Sequence, residues 1–239
     1  MNLYFQKIGE GKDLIMLPGW GHDVSSFWPV VDLLKDNLTL WLLDLPGFGR
    51  SDPPPQTWTL ENYAEEIAKF IKDQKIKKPV LLGHSFGGSV VIKLTSKYPN
   101  LVSKLILEAS SGIRPKPTLL NRAYSLIAKT LKLFPNLLNF KERIRNWFYK
   151  MIGSDYLTTD LLKKTFQKVI RQDLSEEAKK IDRETLIIWG EDDKTLPLEQ
   201  GEKLYQLIKN SRLEVLENCG HAPHIKNPYL FTNYVKDFI

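Results

Sequence analysis

The chain has 239 residues, with 34 Lys and Arg against 28 Asp and Glu, a formal net charge of +6. At 42% hydrophobic and 26% charged, its composition is that of a globular protein and excludes a disordered or collagen-like chain. A single cysteine, Cys219, excludes an internal disulfide framework and a cysteine-based zinc cluster.

The first residues, MNLYFQKIGEGKD, lack a basic segment followed by an apolar one, so no secretory signal is expected. No apolar run approaches the roughly 18–20 residues of a membrane span, so no transmembrane segment is expected. With so little cysteine, the setting expected is reducing and cytoplasmic. The positive charge alone leaves nucleic acid, an anionic lipid or an acidic protein open as partners.

Residues 3–8 read as an edge strand, and 14–17 (LIML) and 39–44 (TLWLLD) as strands buried on both faces. Residues 60–72 place Leu60, Tyr63, Ala64, Ile67, Phe70 and Ile71 at helical spacing, with Thr59 as N-cap. A strand at 79–83 (PVLLG), a helix after Ser85 that ends before Pro99 and a strand at 104–109 (KLILEA) follow. The alternation resumes at 185–190 (TLIIWG), with a helix over 198–209, a strand at 213–217 and a last helix after Pro228. Such alternation predicts an α/β fold, a doubly wound and mostly parallel sheet with right-handed crossovers.

Residues 111–184 carry no strand pattern and are too many for a structureless loop. Helical patterns at 119–134, 141–151 and 161–170 predict a helical cap inserted into one crossover. The domains expected are therefore a core of 1–110 and 185–239 and a cap of 111–184. Charge follows the same division. Residues 114–180 hold 15 basic and 6 acidic residues, whereas 1–113 are neutral and 181–239 carry −3. The basic residues either form the solvated face of the cap helices or meet an anionic carrier or surface. No base-reading module accompanies them, so nucleic acid is not expected as a partner.

The sharpest motif is Gly83-His84-Ser85-Phe86-Gly87, G-x-S-x-G between a buried strand and a helix. Its glycines permit a tight turn that lifts the serine hydroxyl clear of the backbone, and the helix N-terminus offers free N–H groups to a developing oxyanion. Ser85 is the candidate nucleophile and needs a base to take its proton. Four histidines are present: His22, His84, His221 and His224. His84 lies within the turn itself. His221, on a loop past the last strand, is the expected base, with His224 the alternative. The acid that holds the base comes from Glu191-Asp192-Asp193, after the 185–190 strand; Asp193 is favoured over Asp192, with Glu108 a more distant candidate.

With these residues in place, the chain resembles proteins of the α/β-hydrolase fold. Leu17-Pro18-Gly19-Trp20-Gly21 resembles the family's oxyanion loop, and 44–51 (DLPGFGRS) its D-x-P-G-x-G-x-S segment. Gly83 to Gly88 resembles the nucleophile turn, Trp189 to Asp193 the W-G-x-x-D acid loop, and Gly220-His221 the histidine loop. The resemblance implies a Ser85–His221–Asp193 triad, with the backbone N–H groups of Trp20 and Phe86 as the oxyanion hole. Pro18 departs from the family's usual histidine, but position 20 keeps its N–H donor. Serine at the turn speaks against the relatives that use a carboxylate nucleophile.

The expected activity is hydrolysis of small-molecule carboxylic esters, and the motifs resemble esterases that act on carrier-bound methyl esters. Alternatives are a C–C bond hydrolase of the meta-cleavage type, for which Arg114 or Arg122 would meet a diacid, and a slow-turnover ligand receptor. Neither a third dinucleotide-binding glycine nor G-x-x-x-x-G-K-[ST] is present, and His22 and Asp23 lack coordinating companions. No cofactor and no metal are expected.

Overall fold

The computed structural model describes residues 1–114 and 159–239. Seven strands form one sheet in the order β1-β3-β2-β4-β5-β6-β7. They are β1 (Phe5–Ile8), β2 (Lys12–Leu17), β3 (Leu38–Leu43), β4 (Val80–His84), β5 (Leu105–Glu108), β6 (Thr185–Gly190) and β7 (Ser211–Leu216). Only β1, on the edge, runs antiparallel to its neighbour; every other pairing is parallel.

The sheet is covered on both faces, which is why its central strands read as continuous apolar runs. Side chains alternate across the pleat. Ile15, Leu17, Leu81, Leu107, Ile187 and Trp189 belong to one cluster with helices α2 (Leu60–Asp73) and α3 (Phe86–Lys97). Leu14, Met16, Leu82, Ile106, Leu186 and Ile188 belong to the opposite cluster. There they meet α1 (Trp28–Leu34) and the C-terminal α8 (Pro228–Phe238).

Helix α1 is an element that the sequence pattern above does not anticipate. Its buried face, Val30, Val31 and Leu34, has helical spacing but spans less than two turns, too short a run to establish a period. Between β5 and β6 lie α4 (Asp160–Val169), matching the pattern at 161–170, and the short α5 (Ser175–Ala178). After β6 comes α6 (Leu198–Leu207), and α7 (Pro223–Lys226) precedes α8. The helices expected over 119–134 and 141–151, and eight of the fifteen basic residues of 114–180, lie outside the described residues. Among the described residues no helix is long and apolar enough to cross a membrane.

Parallel strands point their C-terminal ends the same way. The loops after β2, β3, β4, β5, β6 and β7 therefore gather along one edge, where open α/β sheets bind ligands.

Candidate active site

Ser85 occupies the sharp turn from β4 into α3, with φ +52° and ψ −112°. An L-residue adopts such a backbone only when its surroundings impose it. Here Gly83 and Gly87 make the turn possible. A β-carbon on Gly83 would lie 2.5 Å from backbone atoms of Gly87 and Gly88, and one on Gly87 would lie 2.2 Å from the Leu17 carbonyl oxygen. The turn is held from β5: Ser85 N–H donates to the Glu108 carbonyl oxygen (2.9 Å), and Ser111 N–H donates to that of Ser85 (3.0 Å).

The histidine loop follows β7 and contacts the acid loop directly. Gly190, ending β6, packs so closely that a β-carbon there would sit 2.2 Å from the Gly220 carbonyl oxygen. Asp192 N–H donates to the Cys219 carbonyl oxygen across the same contact (2.8 Å). His221 thereby reaches both partners. Its Nδ1 lies 2.7 Å from Asp193 Oδ2 and its Nε2 lies 3.0 Å from Ser85 Oγ. A carboxylate only accepts, so Nδ1 carries the proton and Nε2 presents its lone pair to the serine hydroxyl. The Asp193 side chain is fully buried, and its other oxygen accepts from the N–H groups of Thr195 (2.8 Å) and Leu196 (2.9 Å). These bonds fix the carboxylate that orients the imidazole.

Asp192 is exposed. His224 and Glu108 are bonded to each other, Nδ1 to Oε1 at 2.7 Å, and both are wholly buried. The alternative base and the more distant acid of the sequence reading thus form a second pair beneath the first. Burial pushes Glu108 upward, but the neighbouring His224 outweighs it and holds the carboxyl below its ordinary range.

All four histidines of the chain gather here. His84 and His221 rings stand 5.1 Å apart, His84 and His224 5.0 Å, and His22 and His84 6.4 Å. His84 Nε2–H donates to the His221 carbonyl oxygen (2.9 Å), a tie between the Ser85 turn and the His221 loop that no sequence signal announces. Burial lowers the His84 pKa to about 3, so the ring stays neutral. His22 is lowered as well, chiefly by burial and then by His224 and His221. Among the described residues no group of three or more His, Cys, Asp or Glu side chains is arranged to hold a metal ion.

Trp20 lies on the loop after β2 and Phe86 opens α3. Both residues line the same cavity as Ser85, and among the described residues neither backbone N–H donates in a turn, loop or cap. Asp44, just past β3, ties together the segments that carry Val24 and Arg50. Its two oxygens accept from Val24 N–H and Arg50 N–H, each at 2.8 Å.

These elements surround a cavity of about 350 Å³ that Ser85 and His221 line. The Trp20 ring packs edge-on against Phe86 (4.9 Å) and meets Phe166 of α4 (5.0 Å), making one wall aromatic. Ile113, Leu196, Val169 and Ile170 continue the apolar lining. Of the basic residues the sequence reading singled out, Arg114 is exposed at the rim and donates to the Arg171 carbonyl oxygen; Arg122 lies outside the described residues.

The profile described as "Alpha/beta hydrolase family" matches residues 14–231. The chain is 28% identical to pimeloyl-[acyl-carrier protein] methyl ester esterase of Aeromonas hydrophila, over all of both chains. It is 26% identical to 2-hydroxy-6-oxononadienedioate/2-hydroxy-6-oxononatrienedioate hydrolase 1 of Pseudomonas putida, over all of this chain and 92% of that one. Among solved structures, an esterase from Exiguobacterium antarcticum superposes with a TM-score of 0.78 at 26% identity, covering 99% of this chain and 94% of the other.

Proposed function

This chain belongs to the alpha/beta hydrolase family, and on that premise we propose that it hydrolyses carboxylic esters through an acyl-enzyme on Ser85. The observation that carries the proposal is the unbroken line Ser85 Oγ–His221 Nε2–His221 Nδ1–Asp193 Oδ2, at 3.0 and 2.7 Å.

In this reading Ser85 Oγ attacks the acyl carbon while its proton passes to His221 Nε2. Asp193 stabilises the imidazolium, and the Trp20 and Phe86 N–H groups take the charge that develops on the carbonyl oxygen. Collapse expels the alcohol, which carries away the proton from His221. A water molecule then gives its proton to His221 and attacks the acyl carbon; the acid leaves and Ser85 recovers its hydrogen. The apolar walls favour small to medium acyl groups. In this reading the core comprises 1–110 and 185–239, and the described part of the 111–184 insertion, Phe166 of α4 among it, helps to cover the cavity.

The test is turnover of p-nitrophenyl acyl esters by the wild type, Ser85→Ala and His221→Ala. The proposal expects each variant to lose several orders of magnitude in kcat, about 10⁶-fold in a comparable triad, and Ser85 to be the residue labelled by a fluorophosphonate. Activity retained by Ser85→Ala overturns it.

A further inference from the structure

Gln200 occupies an unusual place in this cavity. It is the third residue of α6, where a glutamine side chain ordinarily reaches back to the N–H of the residue capping the helix. That capping residue is Pro197, which has no N–H to give. The customary partner is missing from the covalent structure, so the carboxamide has to be used elsewhere.

The surroundings direct it to the cavity. Gly201, its neighbour, lies against Trp189 of β6, where a β-carbon would come within 2.7 Å of the indole ring, so α6 sits flush on the sheet. One turn on, Lys203 donates to the Arg114 carbonyl oxygen (2.9 Å) and ties the same helix to the 112–114 segment of the cavity wall. Gln200 is 7% exposed and lines the cavity together with Leu196 and Ile113. Its carboxamide makes no hydrogen bond among the described residues, and yet neither of its polar atoms is sealed from open space. Gln172 differs: its Oε1 is already occupied by Leu60 N–H (3.1 Å). A nearly buried amide that the described residues leave unpaired is a recognition group for whatever fills the cavity.

We propose that Gln200 is the polar subsite of this active site and that it selects esters carrying an uncharged hydrogen-bonding function, a hydroxyl or an amide, away from the scissile carbonyl. A carboxamide both donates and accepts, so a hydroxyl or amide satisfies both of its halves, whereas an ionised carboxylate accepts from Nε2 and leaves Oε1 without a donor. A plain hydrocarbon leaves both halves unpaired, and sites built to bond a polar group reject analogues that lack it.

This inference rests on the ester-hydrolase reading, and the experiment separates the two. The probes are p-nitrophenyl alkanoates of about four to eight carbons, each paired with its ω-hydroxy counterpart. In the wild type the hydroxylated member is expected to have at least about tenfold higher kcat/KM at the chain length that reaches Gln200. Gln200→Leu should erase that preference, with fluorophosphonate labelling of Ser85 reporting that the variant is folded. No preference in the wild type, or the same preference in Gln200→Leu, overturns the subsite. Should none of the esters turn over, the ester reading falls, and the subsite is then judged in Ser85→Ala by thermal shift with the same pairs. A larger rise in Tm with the hydroxylated member, lost in Ser85→Ala/Gln200→Leu, upholds it; equal shifts overturn it.

Discussion

The Glu108 carboxylate accepts from His224 twice, from its backbone N–H at 2.8 Å and from its ring Nδ1–H at 2.7 Å, through one oxygen, Oε1. The carbonyl oxygen of the same Glu108 takes the N–H of Ser85. One residue of β5 thus holds the nucleophile turn with its backbone and the segment just past His221 with its side chain. Ser85 and His221, 3.0 Å apart, lie on the two segments that Glu108 holds.

Glu108→Ala should therefore lower stability and rate together. Removing the buried acceptor leaves two His224 N–H groups without their partner, at a cost of about 1–3 kcal/mol each, to be read from urea unfolding. Loss of alignment should lower kcat by about 10²-fold with KM little changed. Glu108→Gln keeps an acceptor oxygen and should recover much of both. A Glu108→Ala protein as stable and as active as the wild type would refute the role of the side-chain grip.

The acidic triplet after β6 offers a direct comparison. Asp193 is buried and bonded to His221, whereas Asp192 is exposed and among the described residues bonds through its backbone N–H, to the Cys219 carbonyl oxygen. Asp193→Asn is expected to reduce kcat by about 10⁴-fold because the imidazole loses the acceptor that sets its tautomer. Asp192→Asn should stay within a few-fold of the wild type, since surface substitutions seldom matter more. Equal losses in the two variants would contradict this assignment.

Gly87 packs the Ser85 turn against the 17–18 segment, because a β-carbon there would meet the backbone carbonyls of Leu17 (2.2 Å) and Pro18 (2.8 Å). Backbone on both sides leaves no flexible side chain to yield. Gly87→Ala should push the 18–20 segment away from Phe86 and misplace one oxyanion donor, costing about 10²–10³-fold in kcat. Circular dichroism showing native secondary structure alongside wild-type kcat would count against it.

Acid sensitivity should begin near neutrality. His84 titrates at about 3 in the fold, lowered by burial, against 6.5 when exposed. Between those values the unfolded chain binds the extra proton, so stability falls as pH drops from about 6.5, by at most about 1.4 kcal/mol per pH unit for this group. His22 is shifted the same way and adds to the slope. Glu108, lowered in the fold, contributes only further down, because its stabilisation is lost as pH falls through a folded value beneath 4.5. Urea midpoints between pH 5 and 7 should decline with acidity in the wild type and less steeply in His84→Gln. An unchanged slope in that variant would exclude His84 as the source.

Local chemistry made much of this legible in one dimension. Continuous apolar runs announce strands covered on both faces, because a parallel sheet with helices on either side leaves no wet face for alternation. Gly83, Ser85 and Gly87 announce the turn, because only that spacing lets a serine stand at φ +52° between a strand and a helix. Helix α1 escaped because seven residues do not establish a period.

Choosing among chemically equivalent residues belonged to the tertiary structure. His221 and His224 are three positions apart, as interchangeable in sequence as Asp192 and Asp193. The β5 and β6 strand ends set two carboxylates side by side, and the loop after β7 delivers one histidine to each, His221 to Asp193 and His224 to Glu108. The roles of His84 and Gln200 were likewise out of reach of pattern reading. A carbonyl oxygen 137 positions away for one, and a proline without an N–H beside a cavity for the other, acquire meaning only when the chain has brought them together. Residue type and spacing determine which chemistry is available; long-range packing decides which copy of each group performs it, since distances of 3 Å between segments far apart in the chain are set by the sheet and not by their neighbours in sequence.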